Sequence, residues 1–282
     1  MIKTSIIVPV FNEEGVVEKV MADIKKYINQ ECEIIVVNDG STDRTKDLLE
    51  RTPDIKVINH SKNCGYGAAL KSGIRKSQGE YILIIDADGS YPVKSIPELI
   101  SQIGDYDMVV GARTKPQNQI PISRKPTKYL LNKLANYLTG TKIPDLNSGL
   151  RMIKRDPLNQ FFRLLPDGFS FTTTITLAFL TNGYQVKYIP IDYYKREGKS
   201  KIRPVRDTLN FFQLIIKTIL YFNPLKIFIP LSLILLSLGF LVFIYSYLFT
   251  PKIMDVTIVI LFVSAIQILA IGMIADLIVK RI

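Results

Sequence analysis

Two long apolar stretches near the C-terminal end constrain the fold of this chain more than any other feature. No charged residue occurs from Ile227 to Phe249 or from Val256 to Ala275. At a rise of 1.5 Å per residue, a helix of either length covers about 30 Å, the thickness of the hydrocarbon core of a bilayer. The sequence therefore predicts two transmembrane helices, over about 227–249 and 256–279. The connection over 250–255 is so short that the two helices must form an antiparallel hairpin.

Basic residues are distributed unevenly around these stretches. Lys217 and Lys226 precede the first, Lys280 and Arg281 follow the second, and Lys252 alone lies between them. Because cytoplasmic loops carry an excess of Lys and Arg, this pattern predicts that both chain ends are cytoplasmic. The N-terminal residues lead directly into a strand-like segment and show no signal-peptide pattern. We therefore expect an integral membrane protein with two transmembrane helices, whose N-terminal domain and both termini are cytoplasmic.

The formal net charge of +11 suggests nucleic-acid binding, but the distribution of charge argues against it. Six basic residues and one acidic residue lie between Lys195 and Arg206, shortly before the first apolar stretch. Such a segment suits an anionic lipid surface or a phosphate-bearing ligand better than a duplex. Cys32 and Cys64 lack the spacing of a metal-binding pair, and a cytoplasmic domain keeps thiols reduced. We therefore expect a membrane partner, no nucleic-acid partner and no structural disulfide.

The first part of the chain alternates between strand and helix patterns. Runs rich in Val and Ile are typical of buried strands, and they are separated by segments with apolar residues at helical spacing. This alternation predicts βαβ units, and hence an α/β domain with a mostly parallel central sheet. The predicted strands are Ser5–Val10, Glu33–Asn38, Ile55–Asn59, Tyr81–Ile85 and Asp107–Gly111. The predicted helices are Val16–Ile28, a helix capped by Ser41 or Thr42 that ends near Arg51, Tyr66–Lys76, and one beginning at Pro97.

Beyond Arg113 the pattern is less regular. Residues 115–128 are rich in Pro, Gln and Lys and predict a loop. Residues 205–222 place apolar residues on one helical face, which predicts an amphipathic helix on the membrane surface, with an ordinary core helix as the alternative. The other predicted elements are a helix over 129–138, a strand over 149–153, a helix over 171–180 and a strand over 186–191. Three segments follow: a cytoplasmic domain over 1–201, a juxtamembrane amphipathic helix over 202–226 and a transmembrane hairpin over 227–282.

Two acidic residues follow the predicted strand Tyr81–Ile85. Asp86 and Asp88 come directly after it, and Gly89 and Pro92 prevent the strand from continuing. Ligands of open α/β sheets bind at the carboxyl ends of the strands, and carboxylates there suit a hard divalent cation that contacts phosphate oxygens. Taken alone, the same residues fit a strand followed by an Asp-Gly turn equally well.

Two common phosphate-binding loops are absent. No Gly-x-Gly-x-x-Gly follows the first strand, so a dinucleotide-binding fingerprint is excluded. Gly65–Ser72 matches a Walker A loop except at Leu70, where the second Gly is required. His60 lies among polar residues without a partner at a suggestive spacing, so we expect a surface histidine rather than a catalytic one.

Several motifs at the predicted strand ends occur together in a specific order. Ile7–Glu14, Val36–Asp43 and Asp86–Gly89 resemble the nucleotide-sugar-binding core of family 2 glycosyltransferases. Further matching motifs extend the resemblance to about residue 201 and narrow it to the polyisoprenyl-phosphate branch, which includes the dolichol-phosphate-mannose synthases. These motifs are Asn63–Ala69, Val110–Arg113, Asp145–Arg151 and Arg196–Lys201. The two apolar stretches resemble the membrane anchor of such enzymes.

The resemblance implies a GT-A-like fold and a role for each motif. Donor binding is implied for Pro9, Phe11, Glu13, Asp39, Asp86, Ala87 and Asp88, with Asp39 accepting hydrogen bonds from the base. Asp88, with Asp86, is implied to hold Mg²⁺ or Mn²⁺, which offsets charge on the departing diphosphate. Binding of the acceptor phosphate is implied for Arg113, Ser148, Arg151, Arg196, Ser200 and Lys201. The catalytic residues are then Asp86, Asp88 and Arg113.

One departure from the family pattern concerns the acceptor. Transfer to a hydroxyl requires a carboxylate base, and the family often has an acid where this chain has Gly168–Thr176, which contains none. A phosphate monoester needs no base because it is already anionic near pH 7. The missing acid therefore favours a lipid-phosphate acceptor, although Asp145 is an alternative base. Phe169 and Phe171 are candidates either for guiding the lipid or for ordinary packing.

The sequence thus predicts an inverting glycosyltransferase that moves a single sugar from a UDP- or GDP-linked donor to polyisoprenyl phosphate, dolichyl or undecaprenyl, on the cytoplasmic membrane face. One alternative is a membrane-bound glycosyltransferase that acts on a glycan hydroxyl in surface polysaccharide assembly. An alternative of another class is a non-catalytic membrane scaffold that binds nucleotide sugars. The sequence is also compatible with a homo-oligomer.

Overall fold

The structure is a computed structural model that describes residues 3–114, 132–137, 139–168, 170–194, 213, 216–217, 219–221, 223–250 and 255–279. Contacts between Cα atoms divide the chain into two compact units, Met1–Phe212 and Gln213–Ile282. Each unit is described separately. The predicted segment boundaries near residues 201 and 226 remain predictions.

Among the described residues, the first unit contains a seven-stranded sheet with helices in its connections. The strand order is β3-β2-β1-β4-β6-β5-β7. The strands are β1 Thr4–Val10, β2 Cys32–Asn38, β3 Lys56–Asn59, β4 Tyr81–Ile84, β5 Met108–Ala112, β6 Arg151–Lys154 and β7 Val186–Pro190. The helices are α1 Val17–Lys26, α2 Thr45–Glu50, α3 Tyr66–Lys76, α4 Ile96–Gln102, α5 Arg155–Phe161 and α6 Phe171–Thr181, with 3₁₀ turns at Val93–Ser95 and Phe162–Leu164.

The sheet is mostly parallel, as predicted. Strand β1 pairs in parallel with β2 on one side and β4 on the other, and β2 pairs in parallel with β3. Strand β6 is antiparallel to both β4 and β5, whereas β5 and β7 are parallel. Every residue of β1 is buried, because a strand in the middle of such a sheet is covered on both faces. The α/β prediction is therefore confirmed.

This topology brings three connecting loops to one edge of the sheet. Strands β2, β1 and β4 are neighbours that run in the same direction, so their carboxyl ends lie side by side. The residues that follow them are Phe11–Glu14 after β1, Asp39–Asp43 after β2 and Ile85–Gly89 after β4. In open α/β sheets this edge is where ligands bind.

The predicted cap of α2 is wrong. The helix begins at Thr45, after Arg44, and neither Ser41 nor Thr42 caps it. Instead, the Ser41 hydroxyl accepts a hydrogen bond from the Asn12 amide at 3.0 Å, and the Thr42 amide donates to Asn12 Oδ1 at 2.8 Å. These polar groups therefore join two loops rather than cap a helix. Their hydrogen-bond partners depend on tertiary contacts, which the local sequence does not show.

Several later predictions are confirmed within the described residues. Strand β6, helix α6 and strand β7 occupy the regions predicted as strand, helix and strand. Residues 132–137 are helical, inside the helix predicted over 129–138. The loop predicted over 115–128 and most of the amphipathic helix predicted over 205–222 lie outside the described residues, although residues 213, 216–217 and 219–221 are helical.

The second unit contains two long apolar helices, α7 Leu225–Phe249 and α8 Asp255–Val279. Both are long and apolar enough to cross a membrane. They are antiparallel, since Phe228 lies near Gly272 while Gly239 lies near Leu261. Their contact seam repeats every seven residues and is built mainly of small residues: Ser232, Gly239 and Ser246 on α7, and Ile258, Ala265 and Gly272 on α8. The Ser232 hydroxyl donates to the Ala265 carbonyl across the seam at 2.9 Å. The predicted hairpin is confirmed.

Candidate functional site

Asp39 lies at the carboxyl end of β2 in a nest of hydrogen-bond donors. It is only 3% exposed. Its Oδ1 accepts a hydrogen bond from the Cys64 amide at 2.9 Å, and its Oδ2 accepts one from the Gly65 amide at 2.8 Å. Gly65 adopts a φ of 104°, which is accessible mainly to glycine and directs this turn into α3. The Asn63–Ala69 motif therefore fixes the position of the Asp39 carboxylate.

His60 is a third partner of Asp39, and the expectation of an isolated surface histidine is wrong. Its Nδ1 lies 2.7 Å from Asp39 Oδ1, its Nε2 lies 2.9 Å from Ser72 Oγ, and its side chain is 14% exposed. The pairing of β2 with β3 places Asn38 opposite Asn59, so the next residue on each strand also lies side by side. A sequence argument that had aligned the two strand ends could have found this pair.

The loop after β1 is held against the loop after β2. Asn12 has a φ of 55°, and its side chain and amide bond the Thr42 amide and the Ser41 hydroxyl. The Glu13 amide donates to Thr45 Oγ1 at 2.9 Å. These bonds fix the loop that carries the predicted nucleoside-pocket residues. Pro9 is buried in β1 beside Val37, and Phe11 and Glu13 are half-buried.

Asp86 lies directly against the backbone of Gly149. A Cβ atom on Gly149 would lie 2.2 Å from Asp86 Oδ2, so a larger residue at this position would displace the Asp86 carboxylate. Asp86 Oδ1 accepts a hydrogen bond from the Tyr66 hydroxyl at 2.9 Å. Burial and the neighbouring Asp86 charge raise the pKa of Tyr66, so the phenol remains a donor at neutral pH. The Gly149 amide in turn donates to Tyr91 Oη at 2.6 Å.

Asp88 lies two residues further on and is 8% exposed. Its Oδ1 accepts hydrogen bonds from the Ser90 amide at 3.0 Å and the Ser90 hydroxyl at 2.5 Å, which fix the carboxylate orientation. Ala87 between the two acids is buried. Two oriented carboxylates on one turn supply the hard oxygen ligands that Mg²⁺ and Mn²⁺ prefer, so the residues fit the predicted cation.

Arg113 and Asp145 form a bidentate ion pair. Arg113 Nε and Nη2 lie 2.7 and 2.8 Å from the two Asp145 oxygens, and the Arg113 amide donates to Asp145 Oδ2 at 3.0 Å. The guanidinium also lies 5.2 Å from the centre of the Tyr193 ring. Burial opposes both charges, but the hydrogen bonds and the opposite charge lower the pKa of Asp145 and raise that of Arg113. Asp145 is therefore ionised and a weak proton acceptor.

Arg151 and Ser148 lie in the protein interior rather than on a ligand-facing surface. Arg151 is fully buried, and its guanidinium donates to the carbonyls of Ser148 and Thr172 and to the Thr176 hydroxyl. The Ser148 hydroxyl donates to the Gly111 carbonyl at 2.5 Å. This placement contradicts the predicted contacts with an acceptor phosphate. Arg151 instead joins β6 to α6, and Ser148 joins the loop before β6 to β5.

The remaining predicted acceptor residues are Arg196, Ser200 and Lys201, and they lie outside the described residues. Phe169 also lies outside them. Phe171 is fully buried at the start of α6, so it packs in the core rather than guiding a lipid.

The fold is the GT-A-like fold of a class of glycosyltransferases. Comparison with known families agrees: residues 5–162 match the profile "Glycosyl transferase family 2", and residues 223–280 match "GtrB C-terminal hairpin". The first match covers more than half of the chain. This chain belongs to glycosyl transferase family 2, and it is a glycosyltransferase enzyme. The hairpin match and the two apolar helices identify an integral membrane protein.

Curated relatives narrow the comparison. A "Dolichyl-phosphate hexose transferase" of Haloferax volcanii is 29% identical over 202 residues, which cover 71% of this chain and 86% of the relative. An "Undecaprenyl-phosphate 4-deoxy-4-formamido-L-arabinose transferase" of Pseudomonas fluorescens is 28% identical over 256 residues, which cover 84% of this chain and 70% of the relative. Both names describe sugar transfer involving a polyprenyl phosphate.

Solved structures support the fold. A glucosyl-3-phosphoglycerate synthase from Mycobacterium tuberculosis, crystallised with Mn²⁺, UDP and phosphoglyceric acid, superposes with a TM-score of 0.61 at 18% identity. The match covers 77% of this chain and 78% of that chain. At this identity the likeness shows the shared fold alone.

Proposed function

We propose that this protein is an inverting glycosyltransferase that moves one sugar from a nucleoside diphosphate to a polyisoprenyl phosphate on the cytoplasmic face of a membrane. The names of the Haloferax and Pseudomonas relatives support the class of acceptor. The two apolar helices support access to a lipid substrate. The complete motifs, with Asp39, Asp86, Asp88 and Arg113 all present, argue against a non-catalytic scaffold.

The donor side of the proposed site is the edge formed by β2, β1 and β4. Asp39, fixed by the Cys64 and Gly65 amides, accepts hydrogen bonds from the base. Asp86 and Asp88 would hold Mg²⁺ or Mn²⁺, which when bound neutralises charge on the departing diphosphate. The contacts of Asp86 with Tyr66 and of Asp88 with Ser90 orient the carboxylates before the substrate arrives. Because the carboxylates are already oriented, they do not have to reorganise during the reaction.

The observation that carries the acceptor assignment is the ion pair between Asp145 and Arg113. Asp145 is one alternative base for transfer to a hydroxyl. Its two oxygens are bound by the Arg113 side chain, and its lowered pKa makes proton abstraction unfavourable. An acceptor that is already anionic does not require this step. The geometry therefore favours a phosphate acceptor over a glycan hydroxyl.

The proposed reaction is a single displacement. An oxygen of the acceptor phosphate forms a bond to the anomeric carbon while the bond from that carbon to the diphosphate breaks, so the configuration inverts. The nucleoside diphosphate leaves with the electron pair, and no proton needs to be removed from the acceptor. Arg113 stabilises anionic groups nearby while Asp145 fixes its orientation. Arg196, Ser200 and Lys201 are proposed to add contacts to the acceptor phosphate.

The test uses membranes that contain the full-length protein, labelled UDP- and GDP-sugars, and Mg²⁺ or Mn²⁺. We expect label in polyprenyl phosphate with one class of donor, and loss of about 100-fold or more in Asp88→Asn, because the oriented charge is removed. Asp105→Asn, at an exposed position, is the matched control and should retain activity. Label found in a glycan hydroxyl and not in polyprenyl phosphate would show that the acceptor assignment is wrong.

The donor base can be identified without activity. A ligand that binds only the folded state raises the unfolding temperature, so UDP- and GDP-sugars with Mn²⁺ should differ in their thermal shifts. Asp39→Asn should abolish the shift of the preferred donor. An unchanged shift in that variant would contradict the role of Asp39.

A further inference from the structure

Three side chains of different metal-binding types lie close together beside the edge formed by β2, β1 and β4, the proposed donor side. An Asp39 carboxylate oxygen, a His60 ring nitrogen and the Cys64 sulfur lie within 4.8 Å of one another. Mg²⁺ and Mn²⁺ favour oxygen ligands, whereas a set of oxygen, nitrogen and sulfur is typical of Zn²⁺. We propose that Asp39, His60 and Cys64 form a second cation site, specific for Zn²⁺-like ions, and that its occupation competes with the nucleotide donor. The three residues are called the thiol site below.

The ligand atoms are close to the spacing that a tetrahedral ion requires. With bond lengths of 2.0 to 2.3 Å, neighbouring ligand atoms lie about 3.3 to 3.6 Å apart. The present contact of 2.7 Å between His60 Nδ1 and Asp39 Oδ1 must therefore open by less than about 1 Å. Cys64 is exposed on the turn before Gly65, so a rotation of its side chain can bring the sulfur inward. Three protein ligands leave the fourth position for water.

The surrounding groups can orient these ligands in both states. Ser72 Oγ lies 2.9 Å from His60 Nε2, and a hydroxyl can either donate or accept. Without a cation, Nδ1–H donates to Asp39 and the Ser72 hydroxyl donates to Nε2. With a cation, the proton is on Nε2 and is donated to Ser72, and the Nδ1 lone pair binds the ion. Partners of this kind fix the ring orientation in metal sites.

Binding of the cation is balanced in protons and in charge. The imidazole proton moves from Nδ1 to Nε2, and the Cys64 thiol loses one proton to solvent, so one proton is released for each ion bound. A thiolate and a carboxylate together neutralise a divalent cation. The Gly65 amide continues to donate to Asp39 Oδ2, and the Cys64 amide continues to donate to Oδ1. The second lone pair of Oδ1, which accepts from His60 Nδ1–H without a cation, binds the ion.

A cavity of about 320 Å³ gives access to the site. His60, Cys64 and Ser72 lie on its wall, together with Lys71 and Asp167. Lys71 Nζ lies 2.7 Å from an Asp167 oxygen, so its charge is offset by a carboxylate at the cavity wall. The cavity is large enough for a hydrated cation, since a water molecule occupies about 30 Å³.

The competition rests on the proposed role of Asp39 in reading the donor base. A carboxylate oxygen bound to a cation is a weaker acceptor for the base, so occupation of the thiol site lowers donor affinity. By thermodynamic linkage, saturating donor must lower the affinity for the cation by the same factor.

The first experiment measures Co²⁺ binding to the full-length protein in detergent, without any substrate and with excess Mg²⁺ to occupy oxygen-only sites. Co²⁺ is the probe because a bond to a thiolate produces a charge-transfer absorption in the near ultraviolet. We expect this band in the wild type and in Cys32→Ser, the control at the other cysteine, but not in Cys64→Ser. His60→Gln and Ser72→Ala should weaken Co²⁺ binding by about 10-fold or more. A band that is absent in the wild type, or unchanged in Cys64→Ser, overturns the proposal.

The second experiment tests whether Zn²⁺ bound at the thiol site competes with the nucleotide donor. Zn²⁺ affinity is measured by competition with a chromophoric chelator, with and without the preferred nucleotide sugar. We expect saturating donor to weaken Zn²⁺ binding in the wild type, and we expect Cys64→Ser to weaken Zn²⁺ binding even without donor. Zn²⁺ affinity that is independent of donor overturns the competition. Because the first experiment uses no substrate, its result does not depend on the proposed transferase reaction.

Discussion

At the scale of single residues, the bidentate ion pair of Arg113 with Asp145 affects both stability and the proposed acceptor site. Removing one partner of a buried pair leaves the other charge unpaired, which costs about 3 to 5 kcal/mol. Asp145 is 6% exposed, and its side chain bonds both the side chain and the amide of Arg113. The Arg113 side chain that loses this partner is 22% exposed, so we expect Asp145→Asn to lower the free energy of unfolding at pH 7 by less than this cost, about 1 to 3 kcal/mol.

The pH dependence of this loss follows from the lowered pKa of Asp145. A carboxyl with a lower pKa in the folded state contributes stability above its unfolded pKa, about 3.9, and loses that contribution as the pH falls through its folded pKa. The difference in unfolding free energy between wild type and Asp145→Asn should thus be largest at neutral pH and shrink below about pH 4. Denaturant unfolding at several pH values measures it. A difference that grows with acidification would contradict the assignment.

A substitution at Gly149 can test whether the reaction requires the present position of the Asp86 carboxylate. A Cβ at this residue would lie 2.2 Å from Asp86 Oδ2, so Gly149→Ala displaces the carboxylate. A displacement of about 1 Å at a reacting centre can cost about 100-fold in rate, and we expect a loss of this size. Sugar-transfer assays and Mn²⁺ titration measure it.

Gly104→Ala is the matched control for this substitution. A Cβ on Gly104 meets no atom within 4 Å, and no unusual φ is required there. The control should keep both activity and Mn²⁺ affinity. If Gly149→Ala also kept both, the close contact with Asp86 would have no role in the reaction.

The sequence predicts local residues of the site better than partners from distant segments. The position of Asp86 and Asp88 after β4 was predictable because a single strand and turn determine it, while their role stays a prediction. His60 was missed because its partners lie on β2 and α3, and Arg151 was misassigned because a basic residue in a motif resembles a phosphate ligand. Only the packing of α6 against β6 shows that the Arg151 guanidinium is satisfied by backbone carbonyls.

At the scale of elements, the seam between α7 and α8 depends on small residues. Apolar side chains face lipid as favourably as they face protein, so close packing rather than the hydrophobic effect holds such helices together. A Cβ on Gly272 would lie 2.4 Å from Phe228 Cβ, whereas a Cβ on Gly239 would lie 3.3 Å from Leu261 Cβ. The first contact requires the helices to separate, and the second requires only a small shift.

We therefore expect Gly272→Ala to destabilise the helix pair by about 1 to 3 kcal/mol, the usual cost of overpacking. Gly239→Ala on the facing helix is the matched control and should have a smaller effect. Unfolding of the purified protein in detergent, followed by helical circular dichroism, compares the two variants. Equal effects of the two substitutions would mean that this seam is not closely packed in the membrane-like environment.

The elements themselves were largely predictable from the sequence. Buried β1, β2 and β4 are rich in aliphatic residues, and α3 occupies the predicted residues Tyr66–Lys76. The antiparallel insertion of β6 between β4 and β5 was not predicted, because nothing in the Arg151–Lys154 run distinguishes the direction of a strand. Strand order depends on long-range pairing rather than on local pattern.

At the scale of the whole molecule, the chain combines an α/β unit with a unit of two apolar helices that are suited to a lipid environment. The outer faces of α7 and α8 expose large apolar side chains, among them Leu233, Phe240 and Ile266. In water such a surface would associate with other molecules, whereas in a bilayer it is stable. This division suits the proposed reaction between a soluble donor and a lipid acceptor.

The proposed orientation in the membrane can be tested by chemical labelling. Basic residues at 217, 226, 280 and 281 outnumber Lys252 in the connection between the helices, so we expect the connection to lie outside. In a background with Cys32→Ser and Cys64→Ser, a membrane-impermeant maleimide should label Lys252→Cys on intact cells. Two further variants should be labelled only after permeabilisation. They are Glu18→Cys, on the exposed face of α1, and Arg281→Cys. The reverse pattern would place the nucleotide-sugar site on the side of the membrane that lacks its donor, and would contradict the proposed cytoplasmic reaction.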